Sequence, residues 1–171
     1  MRVMTLSIDG LTERDIAKTI DHSLLRPELD DAFVQDGCRL AARYDVASVC
    51  VRPSDVLRAR AILDGTDVAV GTTIGFPHGN HLTVTKVFEA ERALADGATE
   101  LDMVIQIGAL KAGRDADVEA DIRAVVEVAA GAAVPGAAPV VRREDPEAEG
   151  EEIRALRGEP RPILGRGPAV E

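Results

Sequence analysis

"TELDMVIQIGAL", residues 99–110, has the composition of a buried β-strand with an acid near its start. Asp102 and Val104 share one face of such a strand, and their apolar neighbours share the other. Burying an unpaired carboxylate costs several kcal/mol. We therefore expect Asp102 to be paired, protonated or used in chemistry, and to point away from the helices that cover the apolar face.

The same alternation of strand and helix patterns continues on both sides of this stretch, from about residue 16 to residue 131. It predicts repeated βα units around a parallel sheet, so the fold class is α/β. The strands read as nearly all apolar or small, which favours a sheet covered on both faces. Whether the sheet is open or closed into a barrel is left undecided by the pattern. We predict strands near 19–22, at 46–51, at 67–75 and over 99–110, and helices at 31–44, 53–63, 83–95 and 115–130.

Apolar residues at helical spacing predict which face of each long helix is buried. The predicted buried stripes are Phe33, Gly37, Leu40, Ala41 and Tyr44 in the helix at 31–44; Val84, Val87, Phe88 and Leu94 in the helix at 83–95; and Val118, Ile122, Val125, Val126 and Ala129 in the helix at 115–130.

Composition excludes several classes of function. The content of 46% hydrophobic and 29% charged residues is that of a soluble globular protein. A formal charge of −10 with only four aromatic residues argues against nucleic-acid binding. No apolar run approaches the roughly 18 residues of a membrane span, and the N-terminus "MRVMTLSIDGLTERD" lacks the core of a secretory signal. We expect a cytoplasmic protein with no membrane and no nucleic-acid partner.

Metal binding has little support in the sequence. Cys38 and Cys50 have no metal-ligand spacing around them, and His78 and His81 have no evident third ligand. We expect no metal and no other cofactor.

The pattern changes after residue 134. Residues 135–171 hold six of the nine prolines and no lysine or aromatic residue, and their apolar residues follow neither helical nor strand spacing. Such a composition cannot bury enough surface to offset its ordering entropy. We predict two parts: residues 1–134, which fold, and residues 135–171, a Pro/Arg/Glu-rich and mostly disordered tail.

Five stretches taken together resemble the deoxyribose-phosphate aldolase family. They are "IDHSLLRP" (20–27), "VASVCVRP" (46–53), "VGTTIGFPHG" (70–79), "KVFEAERALADGATELDMVIQIGALKAG" (86–113) and "VEADIRAVVE" (118–127). The resemblance implies a (β/α)8 barrel, of which this chain would supply about the first four βα units. It also implies cofactor-free, reversible cleavage of 2-deoxy-D-ribose 5-phosphate to D-glyceraldehyde 3-phosphate and acetaldehyde, a step of deoxyribonucleotide catabolism and carbohydrate degradation. The expected partners are a phosphorylated deoxy sugar and small aldehydes.

The resemblance also implies roles for four residues. Asp102 matches the family's proton-relay acid, and Asp21, expected at the end of the first strand, matches an acid of the supporting network. Cys50 and Phe76 match the substrate pocket. The alternatives are a strand-edge Asp102 satisfied by a backbone amide or a lysine, a helix-capping or purely structural Asp21, and a Cys50 that acts only as a small buried hydrophobe.

The sequence departs from the family at the residue on which the family's chemistry depends. Such enzymes form a Schiff base on a lysine, since a desolvated amine attacks a carbonyl as the free base. Lys18, Lys86 and Lys111 are the three lysines here, and none matches that position, so we predict that the Schiff-base lysine is absent. A complete barrel takes about 250 residues. We therefore expect a truncated or frameshifted aldolase that is inactive or nearly so.

Two other interpretations remain. One is a non-catalytic half-barrel that binds or assembles, with copies pairing through the exposed barrel edges. The other is a barrel lyase or isomerase that uses acids alone on a phosphorylated sugar.

Overall fold

Four βα units follow one another in a computed structural model, which describes residues 10–131. The predicted boundary at residue 134 and the predicted disorder of residues 135–171 lie outside the described residues and stay predictions. The elements in chain order are α1 (Glu13–Ala17), β1 (Asp21–Leu24), α2 (Asp31–Tyr44), β2 (Ser48–Val51), α3 (Val56–Ile62), β3 (Ala69–Ile74), α4 (Thr83–Ala95), β4 (Glu100–Met103), α5 (Ile107–Lys111) and α6 (Asp115–Gly131).

The four strands form one parallel sheet in the order β1-β2-β3-β4. Paired residues in a parallel sheet point to the same side, and successive residues alternate. One face therefore carries the apolar core against the helices, with Leu24, Val49, Val51, Val70, Ile74 and Leu101. The opposite face, called the inner face below, carries only small or polar residues: Asp21, Ser23, Ser48, Cys50, Ala69, Gly71, Thr73, Glu100 and Asp102.

The central strands are buried on both sides, as predicted: β2 along its whole length and β3 at all but its first residue. The side chains of the inner face are small or polar rather than apolar. Asp102 lies on the inner face, away from the helix-covered core, as its flanking apolar residues predicted.

The long helices have the predicted bounds, but their buried faces agree with the prediction only in part. In α2 the predicted Gly37 and Ala41 are buried together with Val34 and Cys38. The predicted Phe33 and Tyr44 are 50% and 53% exposed. Small side chains let the helix axis approach the strands closely, so the largest apolar residues lie to the side of the contact.

The predicted stripe of α4 is wrong at two of its four positions. Val84 and Phe88 are largely exposed, whereas Val87 is half-buried and Leu94 packs against the core. The fully buried residues are Lys86, Ala90 and Ala93. A buried lysine at the centre of the contact face broke the apolar pattern from which the stripe was predicted. The α6 prediction is better: Val118 and Val125 are buried as expected, with Asp121 buried between them.

The strands are shorter than predicted. In the opening stretch only Glu100–Met103 is strand, and Ile107–Lys111 forms the short helix α5. Ala109 and Leu110 of α5 pack with Val118 in a small second core, which explains the apolar character of this segment. The first strand begins at Asp21 rather than near residue 19, because the preceding residues close the last turn of α1.

Among residues 10–131, none of the helices combines the length and the apolar character needed to cross a membrane.

Candidate functional site

Three residues from three strands meet on the inner face. One side-chain ligand atom each of Asp21, Cys50 and Asp102 lies within 4.8 Å of the others. Strand β3 lies between Cys50 and Asp102, and it pairs Gly71 with Cys50 and Thr73 with Asp102. The structure therefore brings together three of the four residues singled out from the sequence.

Asp21 is the first residue of β1, which corrects its predicted position at the end of that strand. Its Oδ1 accepts a hydrogen bond of 2.7 Å from Ser48 Oγ. Ser48 is fully buried and pairs in register with Asp21. Sequence reasoning missed Ser48, although its place two residues before Cys50 in a strand puts both side chains on one face.

Cys50 is almost completely buried, and its Sγ lies 3.5 Å from Asp102 Oδ2. Burial, followed by the nearby carboxylates of Asp102 and Asp21, raises the pKa of the Cys50 thiol far above its ordinary value. The thiol is therefore protonated at neutral pH and donates a hydrogen bond to Asp102. The thiolate is the nucleophilic form of cysteine, and the raised pKa disfavours it.

Asp102 is half-buried and lies on the inner face of the sheet. A carboxylate in this position can accept a proton from a molecule bound at the inner face, or return one to it. The alternative of an Asp102 satisfied by a lysine is not what the structure has, since its partner is the Cys50 thiol.

All three lysines lie within the described residues, and none joins the cluster. Lys18 Nζ is 2.6 Å from Asp45 Oδ1, and Lys86 Nζ is 2.6 Å from Asp121 Oδ2 on the helix side of the sheet. Lys111 is exposed at the last residue of α5.

The cluster also offers potential metal ligands, namely the carboxylates of Asp21 and Asp102 and the sulfur of Cys50. A protonated thiol bound to a carboxylate is a hydrogen-bonded arrangement, whereas a metal-bound cysteine is a thiolate. His78 and His81 are exposed and are not part of the cluster. The expectation of a metal-free site stays a prediction.

Phe76, the fourth predicted residue, follows Gly75 at the carboxyl end of β3 and is 47% exposed. The Gly75 N–H donates a hydrogen bond of 2.7 Å to Glu89 Oε2 of α4, which fixes the start of this loop. The role of Phe76 as a pocket wall stays a prediction.

A buried carboxylate ties together two loops at the carboxyl ends of β1 and β2. Asp55 is 3% exposed and accepts hydrogen bonds of 2.6 Å from Arg52 Nε and from an Arg58 guanidinium N–H. Arg52 also donates to the carbonyl oxygens of Arg26 and Pro27. Sequence reasoning missed this network, which holds the rim on that side of the sheet.

Comparison with known proteins identifies the family of the chain. The family model described as DeoC/LacD family aldolase matches residues 15–156. The chain belongs to this family. The resemblance found in the sequence is thereby confirmed.

Two curated relatives illustrate the similarity. The deoxyribose-phosphate aldolase of Geobacillus sp. (strain WCH70) is 52% identical over 122 residues, which cover 71% of this chain and 55% of the relative. Deoxyribose-phosphate aldolase 2 of Bacillus licheniformis is 51% identical over 119 residues, which cover 70% of this chain and 53% of the relative. The chain therefore spans about half the length of the curated relatives it matches.

Solved structures show the same fold. A structure assigned as a deoxyribose-phosphate aldolase from Coccidioides immitis superposes with a TM-score of 0.69 at 43% identity, covering 71% of this chain and 48% of that one. The tetrameric deoxyribose phosphate aldolase of Aeropyrum pernix has a TM-score of 0.67 at 23% identity, over 86% of this chain and 63% of that one. The four βα units are thus part of a (β/α)8 barrel, as predicted.

Proposed function

We propose that this chain carries one part of a deoxyribose-phosphate aldolase site, for the reversible cleavage of 2-deoxy-D-ribose 5-phosphate to D-glyceraldehyde 3-phosphate and acetaldehyde. The single observation that supports it is the cluster of Asp21, Cys50 and Asp102 on the inner face. Retro-aldol cleavage needs a group that moves protons beside the carbonyl carbon, and a carboxylate on the concave face of a barrel can do so. We propose that the protein acts in the cytoplasm.

In this proposal the three residues have separate tasks. Asp102 relays protons during carbinolamine formation and at the enamine carbon. Ser48 holds Asp21 in the supporting network through its 2.7 Å hydrogen bond. Cys50 borders the substrate and keeps its proton, so it orients Asp102 without competing for the aldehyde. Phe76 is proposed as a wall of the substrate pocket.

The 171-residue chain alone is expected to show little or no aldolase activity. A Schiff base needs an unprotonated amine beside the reacting carbonyl. The amines of Lys18 and Lys86 are held in ion pairs away from the cluster, and Lys111 is exposed on α5.

A chimera tests whether the cluster is competent. Residues 1–131 would be joined to the part of the Geobacillus relative that follows the matched segment, and cleavage of 2-deoxyribose 5-phosphate would be measured. We expect activity in the chimera and a loss of at least about a hundredfold for Asp102→Asn, since general acid–base groups contribute roughly 10²–10⁴-fold. Asp36→Asn, on the outer side of α2, is the matched control. An active chimera that tolerates Asp102→Asn would contradict the proposal.

Borohydride trapping tests the predicted loss in the chain as it stands. The purified 171-residue protein is incubated with acetaldehyde, reduced, and digested for mass spectrometry. We expect no stoichiometric ethyl adduct on a lysine. An adduct of one per chain at Lys18, Lys86 or Lys111 would show that the Schiff-base function is retained.

A second candidate function is a non-catalytic assembly module. Within the sheet formed by the described residues, β1 and β4 each pair with one neighbour, so each has a free edge there. Parallel edges favour pairing with another chain. A discrete dimer of the 171-residue protein with one cooperative unfolding transition would favour this function, whereas a folded monomer would exclude it.

A further inference from the structure

Lys86 of α4 is completely buried, which is rare for a lysine and requires compensation. Its Nζ lies 2.6 Å from Asp121 Oδ2 of α6 and donates a hydrogen bond of 2.9 Å to the carbonyl oxygen of Val104. Thr83 Oγ1 donates to the other oxygen of Asp121 at 2.7 Å. The lysine thus joins two helices to the chain just beyond β4.

The position of the Val104 carbonyl explains what the ammonium does there. The hydrogen-bond ladder between β3 and β4 ends where Val104 N–H donates to the Ile74 carbonyl at 2.9 Å. Beyond Ile74 the chain turns away from β4 at Gly75, which has φ +71 and donates its own N–H to Glu89. The Val104 carbonyl accepts its hydrogen bond from Lys86.

Gly75 makes room for this arrangement. A Cβ at Gly75 would lie 2.8 Å from Lys86 Cε, so the aliphatic part of the lysine occupies the space that a side chain would fill. The glycine, the lysine and the end of β4 therefore form one contact.

We propose that Lys86 is a positioning residue for Asp102: its ammonium extends the β3–β4 ladder by one step past Asp102 and so holds that carboxylate against the Cys50 thiol. Asp102 lies in β4 and Val104 directly follows this strand, only two residues away, so movement of the Val104 peptide moves Asp102. The inference rests on the proposed function only in treating Asp102 as the catalytic group.

The chain offers a matched pair at the other end of the sheet. Lys18 Nζ contacts Asp45 Oδ1 at 2.6 Å and donates to the Val46 carbonyl at 3.2 Å, just before β2. The chemistry is the same, but this contact lies at the amino ends of the strands. Comparing the double variants Lys86→Met/Asp121→Leu and Lys18→Met/Asp45→Asn therefore distinguishes the effect of where the ion pair lies from the general effect of losing an ion pair. Replacing both partners also avoids leaving one buried charge unpaired.

Two measurements on the full chain report the position of Asp102 without requiring turnover. Hydrogen exchange compares the Val104 amide with the Thr99 amide, which donates to Val70 O just before β4 begins. Alkylation followed by peptide mass spectrometry compares Cys50 with Cys38, the other buried cysteine. The chimera described above tests the function separately, so failure of the one proposal is distinguishable from failure of the other.

In Lys86→Met/Asp121→Leu we expect exchange at Val104 to rise at least about tenfold more than at Thr99, the factor for a charge-assisted hydrogen bond. Alkylation of Cys50 should rise relative to Cys38, and the Lys18→Met/Asp45→Asn variant should change neither ratio. If hydrogen exchange accelerates equally at Val104 and Thr99, or if the ratio of Cys50 to Cys38 alkylation is unchanged, Lys86 forms only a structural ion pair and the proposal is overturned. If the double variant does not fold, the wild-type protein provides the test. NMR should then show that the Lys86 Nζ protons exchange slowly with solvent and couple to the Val104 carbonyl. The absence of these signals would also overturn the proposal.

Discussion

Gly79, in the loop between β3 and α4, lies directly against the chain that leaves β4. It has φ +64, and a Cβ placed there would lie 1.9 Å from the Ile105 carbonyl oxygen. Gly79→Ala therefore adds two costs: the left-handed conformation, about 1–2 kcal/mol for an L-residue, and an overlap that only a backbone shift can relieve, about 1–3 kcal/mol. The lower entropy of the unfolded chain returns about 0.4–1 kcal/mol. We expect a net loss of about 1–4.5 kcal/mol, with a middle value of about 3 kcal/mol.

Gly65 separates the two costs. It has φ +75 and nothing within 4 Å of its added Cβ, so Gly65→Ala bears the conformational cost without the overlap. We expect it to lose only about 1 kcal/mol. Urea unfolding followed by far-UV circular dichroism gives both values. Equal losses in the two variants would refute the claim that the β3–α4 loop is seated on the backbone after β4.

Three further predictions concern the cluster. Ser48→Ala removes the hydrogen bond to Asp21 and should lower the free energy of unfolding by about 1–3 kcal/mol, since the acceptor is a carboxylate and the site is buried; urea unfolding measures it. Asp102→Asn should speed alkylation of Cys50 at a fixed pH above neutrality, because one of the charges that raise the pKa of the thiol is removed; mass spectrometry follows the rate. Stability should fall as the pH rises above about 9, because the folded state keeps the protons of Cys38 and Cys50 that the unfolded state releases near the ordinary thiol value of 9.0; unfolding at a series of pH values measures the fall.

The sign of the last prediction follows from the direction of the shift. A raised folded-state pKa for a thiol stabilises the protein below the unfolded pKa, and that contribution is lost as the pH climbs towards the folded value. Cys50→Ala should flatten the alkaline fall, and an unchanged profile would contradict it. Ser54→Ala, on the adjacent loop, is the control for Ser48→Ala and should leave the free energy of unfolding unchanged. Asp36→Asn, on α2, is the control for Asp102→Asn and should leave the rate of Cys50 alkylation unchanged.

The sequence predicted the long helices to within a residue, because their starts and ends carry local signals. Asp30 caps α2 by accepting a hydrogen bond from the Phe33 N–H, and Pro53 opens the turn before α3. Strand ends were predicted less well. A strand ends where its neighbour stops pairing with it, which no local pattern records, so the apolar residues of α5 were assigned to β4.

Some residues of the candidate site could likewise be predicted from the sequence, and others could not. Asp21, Cys50 and Asp102 could be named from motifs, and their common face follows from the two-residue period of a strand. The pair of Lys86 and Asp121 could not, because 35 residues separate the partners and each looks like a surface charge in its own helix. The predicted stripe on α4 was wrong at two of its four positions for this reason: the residue at the centre of its buried face is charged, and its compensation comes from a different helix.

The partner of Asp102 bears on how the carboxylate could work. A thiol is a weak hydrogen-bond donor, whereas an ammonium or iminium group forms a charge-assisted bond about twice as strong as a neutral one. Cys50 therefore satisfies the half-buried carboxylate of Asp102 without binding it so firmly that it is unavailable. A cationic group brought to the inner face would be preferred over the thiol, and Asp102 would turn to it while Cys50, still protonated, stays in place. In the proposed function the cluster receives a positive charge that none of the three lysines of this chain supplies there.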